Sequence, residues 1–198
     1  MTSPRRSGRR PGDSGTREAI LSAAKESFAA SGYDATTIRG VGRAAGVDPA
    51  LVHHFFGTKQ DLFATAMDLP VDPAQIVPAL LADGVDGLGE RLVRTFLLVW
   101  DSTPGQGSML ALLRSAAAND QAAAMLREFL SHAILGPLAR AAGRDRPDLR
   151  ASLAGSQMMG LALARYVVRL DPLAAADADT IAPVIGPTLQ RYLTGDLP

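Results

Sequence analysis

Residues 37–59 read TIRGVGRAAGVDPALVHHFFGTK, and they are the most informative stretch of the chain. Two short helical segments flank Gly46, and the small residues Gly42 and Ala45 stand where the two segments would touch. A helix-turn-helix joins two helices at about 90–120° through a short turn that often contains glycine. Gly46 also suits the left-handed conformation that ends many helices. The pattern therefore predicts a helix-turn-helix and binding to duplex DNA.

The second of these helices has a clearly marked start. Asp48 can accept a hydrogen bond from the first turn, and Pro49 fits the first helical position, where no donor is required. At about 100° per residue, one side of the helix carries the packing residues. These are Val52, Phe55 and Phe56. The side that is free to face a DNA groove carries Ala50, His53 and His54, with Pro49 and Leu51 at its borders.

A third helix follows directly. Gly57 ends the second helix and Thr58 begins the next, with Asp61 three residues later as a variant of the capping box. Lys59 then lies in the first turn, where free backbone N–H groups and the helix dipole favour an anion. We therefore predict that Lys59 contacts a DNA phosphate.

The adjacent histidines are interpreted as phosphate donors rather than metal ligands. Neighbouring side chains on a helix point about 100° apart, so His53 and His54 cannot share one ion without further ligands. The chain has no cysteine and one other histidine, His132. We expect neither a metal ion nor a cofactor.

Residues 16–70 resemble the DNA-binding domain of the tetracycline-repressor (TetR) family of transcriptional regulators. The matching motifs are a first helix around residues 17–31 that ends in Gly32-Tyr33, then Thr36-Thr37-Ile38-Arg39, Ala45-Gly46-Val47, Pro49-Ala50-Leu51, Phe56-Gly57-Thr58-Lys59 and Leu62-Phe63. The resemblance implies an all-helical homodimer. Its N-terminal domain would bind an inverted-repeat operator, and its C-terminal domain would bind a small molecule that releases the DNA.

The resemblance also assigns roles to individual positions. It places Thr37, Arg39 and Lys59 at the DNA backbone, and Pro49, Ala50 and Leu51 at the groove-facing start of the recognition helix. The family usually has tyrosine at position 53 and often histidine at position 55, where this chain has His53 and Phe55. An imidazole can keep the first phosphate contact, whereas Phe55 replaces the second with packing. Since few groups remain to hydrogen-bond bases, thymine methyl groups and DNA shape would carry much of the specificity.

Composition and charge agree with a DNA-binding regulator. The 198 residues are 47% hydrophobic, which suits one or two small domains with a buried core. The net charge is zero, yet residues 1–64 carry 9 Lys/Arg against 6 Asp/Glu, whereas residues 65–198 carry 11 against 14. The chain lacks cysteine and an apolar run long enough to cross a bilayer, and its N-terminal residues lack the apolar segment typical of a signal peptide. We expect a cytoplasmic protein that does not enter a membrane.

The N-terminal residues 1–15 are predicted to be a disordered basic arm. The segment contains Arg5, Arg6, Arg9 and Arg10, with no acidic residue before Asp13. Its Gly, Pro and Ser content is typical of a tail that does not fold alone. Such a tail either has no function or follows phosphates or the minor groove, and the adjoining DNA-binding domain favours the second alternative.

Residues 71–198 are predicted to form a second, all-helical domain. Helices are expected near 73–83, 88–101, 108–118, 120–141, 147–170 and 180–194, with bends or breaks at Pro78, Gly136-Pro137 and Gly186-Pro187. The family places its dimer interface on the last two helices, which we assign to Leu153, Leu161, Tyr166, Ile181, Ile185 and Leu189. A two-fold dimer sets its recognition helices about 34–36 Å apart, so the operator is expected to be palindromic.

The same domain is expected to hold a small apolar effector. Candidate cavity residues are Phe96, Trp100, Met109, Leu113, Met125, Phe129 and Met158, with Arg114, His132 or Gln157 as the polar group that orients the ligand. Each of these residues also suits an ordinary core, because methionine and aromatic side chains fill cores well.

Three functions remain open at this point. The leading one is a transcriptional repressor that a small molecule releases from its operator. A DNA-binding regulator without an effector is the alternative, and it predicts a filled second domain. We do not expect an enzyme, because the sequence has no phosphate-binding glycine loop, no nucleophile with a placed base and no metal-ligand cluster.

Overall fold

The computed structural model describes residues 11–69 and 72–198. Its regular structure is helical throughout, as the sequence predicts, and no strand occurs in the described ranges. In chain order the helices are α1 (Pro11–Ala35), α2 (Ile38–Ala44), α3 (Pro49–Phe56), α4 (Lys59–Ala66), α5 (Pro73–Leu81), α6 (Leu88–Asp101), α7 (Thr103–Ala118), α8 (Asp120–Phe129), α9 (Leu135–Ala141), α10 (Pro147–Ala162) and α11 (Ala178–Thr194). Two π-helical turns, Leu130–Ile134 and Leu163–Val168, follow α8 and α10. Within these ranges, none of the helices is both long and apolar enough to cross a membrane.

The first four helices share one hydrophobic core, which we call the DNA-unit core. Its members are Ile20, Ala23, Ala24, Phe28, Tyr33, Val41, Val52, Phe56, Leu62, Phe63, Ala64, Ala66 and Leu69, together with Met125, Phe129 and Ala133. The last three come from α8 and the π turn after it, far along the chain. Through α1 and the Phe63 ring of α4, this N-terminal unit is therefore packed against α8, a helix from the C-terminal half.

The helices α5, α6, α9, α10 and α11 enclose a second core, and α6 crosses α11 at very short range. A Cβ atom at Gly89 would overlap the carbonyl oxygen of Gly186, and one at Gly186 would lie 2.8 Å from the Cα of Glu90. The Gly89 N–H donates to Oε1 of Gln190 at 2.8 Å, and Gln190 Nε2 donates to the Val85 carbonyl at 2.8 Å. The two helices are therefore locked in one relative position.

The helices continue through two of the three predicted break sites and change type at the third. α5 continues through Pro78, and α11 continues through Pro187. The α-helical hydrogen-bonding pattern changes just before Gly136-Pro137, where the π turn ends at Ile134 with φ of −128°. Proline has no N–H to donate and its ring crowds the preceding turn, so a widened turn at this point is physically reasonable.

The predicted dimer residues lie mostly inside the protomer. Leu161, Tyr166, Ile181 and Leu189 are buried in its own core, and Leu153 and Ile185 are half-buried. The four buried side chains expose 7% or less of their surface, so they offer little area to a partner. The exposed apolar side chains of the same region are Met159, Leu163, Val167, Val168, Leu170 and Val184.

A buried arginine anchors the end of the chain. Arg150 is 1% exposed and donates to the backbone carbonyl and carboxylate of Asp145, and to the carbonyls of Tyr192 and Gly195 at 2.9 Å each. The last carbonyls of α11 have no partner within their own helix, and Arg150 supplies one. The Arg150 guanidinium also holds the pKa of the Asp145 carboxyl below its ordinary value.

Candidate nucleic-acid interface

Two adjacent threonines fix the start of α2. Thr36 is buried, and its hydroxyl donates to the carbonyl of Gly32 at 2.7 Å. The Thr37 hydroxyl accepts from the N–H of Gly40 at 3.0 Å and so caps the helix. A Cβ at Gly40 would lie 3.1 Å from that hydroxyl, so a larger residue would fit closely against the cap. Thr37 and Arg39 are both exposed, on the side predicted to meet the DNA backbone.

The turn between α2 and α3 has the geometry that the sequence predicts. Gly46 has φ of +70°, which favours glycine. A Cβ at Gly42 would lie 3.1 Å from the Val47 carbonyl oxygen and 3.3 Å from Pro49, so α2 packs directly on the start of α3. The Asp48 carboxylate accepts from the N–H of Ala50 at 2.8 Å. The helix-turn-helix is confirmed together with its caps.

The recognition helix α3 separates into a packed side and an exposed side. Val52 and Phe56 are buried, and Phe55 is partly buried against the DNA-unit core. Ala50, Leu51, His53 and His54 are exposed, and Pro49 is half-exposed. Leu51 is 40% exposed, although it is a large apolar residue. The structure therefore leaves free the side chains that the sequence assigned to the DNA groove.

His53 has a defined tautomer. Its Nδ1 lies 2.8 Å from the carbonyl oxygen of Gly57. Since a carbonyl can only accept, Nδ1 carries a hydrogen, and Nε2 is the ring nitrogen left to meet a phosphate.

The Lys59 ammonium, at the N-terminal end of α4, already has contacts within the protein. Thr58 and Asp61 form the predicted capping box, and Lys59 begins the helix behind it. The Lys59 ammonium donates to the Asp34 carbonyl at 3.1 Å and lies 4.4 Å from the centre of the Tyr33 ring. Burial lowers the pKa of Lys59, against the opposing effect of Asp34 and Glu128. An ammonium group has three donors, so this arrangement positions the group and leaves capacity for a phosphate.

Two exposed cations near this surface were not predicted. Arg43 follows Arg39 by one turn of α2, and the i, i+4 spacing is a signal that identifies it. Arg17 of α1 lies with its guanidinium carbon 5.0 Å from the centre of the Phe56 ring. This contact depends on how α1 packs against α3, so no local pattern indicates it. The predicted arm residues Arg5, Arg6, Arg9 and Arg10 lie outside the described residues.

An apolar cavity of about 140 Å³ lies between α6, α7, α8 and α10. Six of the predicted effector residues line it: Phe96, Trp100, Met109, Leu113, Phe129 and Met158. Met125, Arg114, His132 and Gln157 are not part of its wall. Met125 packs in the DNA-unit core instead, and His132 points to Asp34, with Nδ1 and Oδ1 3.0 Å apart.

The segment 128–134 joins this cavity to the DNA-unit core. Phe129 lines the cavity, and its ring centroid lies 4.7 Å from that of Phe63 in α4. Glu128 accepts a hydrogen bond from the Asp34 N–H at 2.9 Å, beside the His132 contact. The Tyr33 ring packs between these groups, and burial raises the pKa of its hydroxyl to about 12. The same short segment therefore contacts both the cavity and the residues that hold Lys59.

An exposed recognition helix, an N-terminal cap and a lysine at the next helix start define a DNA-binding transcriptional regulator. Residues 20–66 match the family model described as bacterial regulatory proteins, tetR family, and residues 86–193 match that of the tetracyclin repressor-like C-terminal domain. A TetR-family regulator from Streptomyces coelicolor A3 is 42% identical, over 94% of this chain and 98% of that one, with a TM-score of 0.44. The chain belongs to the TetR family of transcriptional regulators.

Other solved structures are similar over most of their length. NalD, the secondary repressor of the MexAB-OprM multidrug efflux pump in Pseudomonas aeruginosa, is 22% identical over 93% of this chain and all of that one, with a TM-score of 0.46. SmeT, solved as a complex with triclosan, is 20% identical over 92% of this chain and 98% of that one, with a TM-score of 0.46. A comparison with curated protein sequences found no match.

Proposed function

We propose that the protein is a repressor that a small apolar molecule releases from a palindromic operator. The observation that carries this proposal is the position of Phe129. Its ring forms part of the cavity wall and also packs against Phe63 in the core beneath the DNA-facing helices. A ligand that displaces Phe129 changes the packing that positions α3 and α4, so the two sites are physically connected.

The DNA contacts follow from the exposed side of the helix-turn-helix. We propose that five residues contact phosphates: Thr37, Arg39, His53, His54 and Lys59. Hydrogen bonds to phosphates fix the position of a protein along the duplex but do not distinguish one base pair from another. The start of α3 would enter the major groove, with Pro49, Ala50 and Leu51 against the base edges. The arginines of residues 1–15 would add further phosphate contacts, and residues 71–198 would form the effector and dimerisation domain.

A homodimer is proposed through the exposed apolar stripe of the last two helices. Met159, Leu163 and Val167 follow one another at helical spacing, and Val184 of α11 is 73% exposed. Large exposed apolar side chains in one region mark protein interfaces. A charge within that stripe, Val167→Glu, should give a monomer in sedimentation or light scattering, whereas the same charge at the exposed Gln121 of α8, Gln121→Glu, should leave the protein dimeric.

The test of the function uses DNA that flanks the protein's own gene. The full-length protein should shift and footprint a palindromic fragment of this DNA at low salt. If a folded, dimeric protein binds none of these fragments, the proposal is wrong. Binding that persists in the presence of every small apolar compound tested would favour the alternative, a regulator without an effector.

A further inference from the structure

We propose that Asp34 is a positioning residue for DNA binding, which holds Lys59 in place, and that its contact with His132 makes this role depend on pH. Both parts concern the place where the N-terminal unit meets the segment 128–134. The inference rests on the proposed function, since it takes Lys59 as a phosphate contact and Phe129 as the residue that a ligand displaces.

Asp34 contacts three other elements through its backbone and its carboxylate. Its carbonyl accepts from the Lys59 ammonium of α4 at 3.1 Å, and its N–H donates to the Glu128 carboxylate of α8 at 2.9 Å. Its Oδ1 lies 3.0 Å from Nδ1 of His132, in the π turn that follows α8. We call these four residues the Asp34 junction. One residue of α1 thus joins the start of α4 to two residues from the C-terminal half.

A break in α1 makes the backbone of Asp34 available for these contacts. Gly32 has φ of +80° and ψ of 177°, so the helical conformation is interrupted two residues before Asp34. The Thr36 hydroxyl donates to the Gly32 carbonyl at 2.7 Å and holds the chain in this shape. In a regular helix the N–H of residue 34 would donate to the carbonyl four residues earlier. Here it donates to Glu128.

The imidazole of His132 makes the strength of the junction depend on pH. An ionised carboxylate only accepts, so the hydrogen of the His132–Asp34 bond lies on Nδ1. A second proton, added at Nε2, turns the ring into a cation and the bond into a charge-assisted one, which is stronger. Histidine is the side chain that ordinarily gains such a charge between about pH 5 and 8. The contact therefore strengthens as the pH falls.

The charged and titratable groups around His132 come from three elements. They are Tyr33 and Asp34 of α1, Lys59 and Asp61 of α4, and Glu128 of α8. Burial raises the pKa of Tyr33 to about 12, so its hydroxyl stays neutral in this range. Lys59 and His132 contact different oxygens of Asp34, the carbonyl and the carboxylate. A proton on His132 therefore does not displace Lys59.

The position of His132 in the chain connects the junction to the proposed release step. His132 follows Phe129 by three residues, so a displacement of Phe129 also pulls on the contact with Asp34. The proton binds more tightly to the arrangement in which that contact is made, so this arrangement gains population as the pH falls. In this arrangement the Lys59 ammonium is already held, and it loses less conformational freedom on meeting a phosphate. Acid thus favours DNA binding, and the gain is lost as the pH rises.

The experiment uses a variant in which His132 is the single histidine. The chain has three histidines, so His53→Asn together with His54→Asn leaves only His132. A random-sequence duplex at low salt is the probe, because a phosphate contact acts on every sequence. From about pH 8 to about pH 5.5, the affinity of the single-histidine variant should rise about two- to fivefold more than after His132→Asn is added. This range is that of a half-exposed ion pair.

Three further variants of the single-histidine protein separate positioning from general stability. Asp34→Asn keeps the backbone groups of residue 34 and removes the charge, so the pH effect on DNA affinity should disappear. Lys59→Ala should remove it as well, because Asp34 acts through Lys59. A purely structural role for Asp34 would leave the pH effect in place after Lys59→Ala. Lys25→Ala, on exposed α1, is the matched control and should retain the effect.

A second measurement needs neither DNA nor a variant that folds. The Asp34 N–H donates to Glu128 within the junction, so its hydrogen exchange in the wild-type protein reports how often the junction opens. After correction for the intrinsic exchange rate, its protection should be about two- to fivefold greater at about pH 5.5 than at about pH 8. In His132→Asn the corrected protection should be the same at both pH values.

Two outcomes would overturn the inference: an equal pH effect on DNA affinity with and without His132, or protection of the Asp34 N–H that does not change with pH. A pH effect that survives Lys59→Ala would overturn the positioning role. A folded protein that binds no duplex at either pH contradicts the proposed function, and the protection of the Asp34 N–H then decides the pH dependence of the junction by itself.

Discussion

The rings of Phe63 and Phe129 lie with their centroids 4.7 Å apart and their planes inclined by 32°. Phe63 belongs to α4, directly after the DNA-facing helices, and Phe129 ends α8 in the cavity wall. Both side chains are almost completely buried. A change in the size or position of one ring therefore alters the packing of the other, although 65 residues separate them in the chain.

The first prediction measures this coupling. Phe63→Leu and Phe129→Leu should each destabilise the protein, and the double variant should differ from the sum of the singles by about 0.5–1.5 kcal/mol. Urea unfolding of the four proteins gives the value. The pair Phe63→Leu and Phe96→Leu serves as control and should be additive. An additive result for Phe63 and Phe129 would remove this contact as a link between the sites.

The second prediction concerns Lys59. Lys59→Ala should weaken binding about equally for every DNA sequence and lower the slope of log affinity against log salt by about 1, because one phosphate contact is lost. Fluorescence anisotropy at several salt concentrations measures this slope. Lys25, which is exposed on α1 and lies 3.9 Å from Asp68, is the control. Its alanine variant should leave the slope unchanged; equal slopes for both variants would contradict the assignment.

The third prediction concerns sequence preference. Leu51→Gln should change which base pair is preferred, since it replaces an apolar contact in the groove by an amide that favours adenine. Selection from a randomised DNA pool measures the preference. Arg43→Gln is the comparison, because a phosphate contact should affect all sequences alike. A preference that Leu51→Gln leaves intact would place this residue away from the bases.

The fourth prediction concerns Arg150 and acid. Replacing Arg150 by Met leaves the carbonyls of Tyr192 and Gly195 without their buried donor, so the free energy of unfolding should fall at pH 7 by about 1–3 kcal/mol for each carbonyl left unpaired. Arg150 lowers the pKa of Asp145 in the folded state. The resulting stabilisation is present above the unfolded pKa, about 3.9, and is lost as the pH falls through the folded value.

Unfolding curves at pH 7 and at pH 3 test both parts. The difference between wild type and Arg150→Met should narrow in acid, because the unfolded state then takes up the proton that Arg150 keeps off Asp145 in the folded state. Arg144, which is exposed and lies 4.0 Å from Asp196, provides the matched control. Arg144→Met should change stability by less than about 1 kcal/mol. A difference that widens in acid would contradict the role given to Asp145.

The parts of the structure that local chemistry controls could be predicted from the sequence. Gly46, Asp48 and Thr58 act within one helical turn of their position, and the structure confirms the turn and caps they indicate. The packed and exposed sides of α3 follow from its period alone.

The dimer and effector residues could not be assigned in the same way. Tyr166 lies in a run, residues 149–170, that is apolar on more than one face, so the sequence does not say which side faces the protomer and which faces outward. His132 stands on the helical segment that forms the cavity wall, yet it pairs with Asp34. Its direction depends on the π turn, which shifts the register of the helix after Phe129.

The crossing of Gly89 over Gly186 has a consequence for regulation. Because neither position has room for a side chain, the backbones of α6 and α11 are in direct contact, and we expect a displacement of α6 to move α11 with it. α6 bears Phe96 and Trp100 of the cavity wall, and α11 bears part of the proposed dimer face. In the proposed dimer, expansion of the cavity would thus change the angle between protomers. The distance between the two operator half-sites that can be engaged together would change with it.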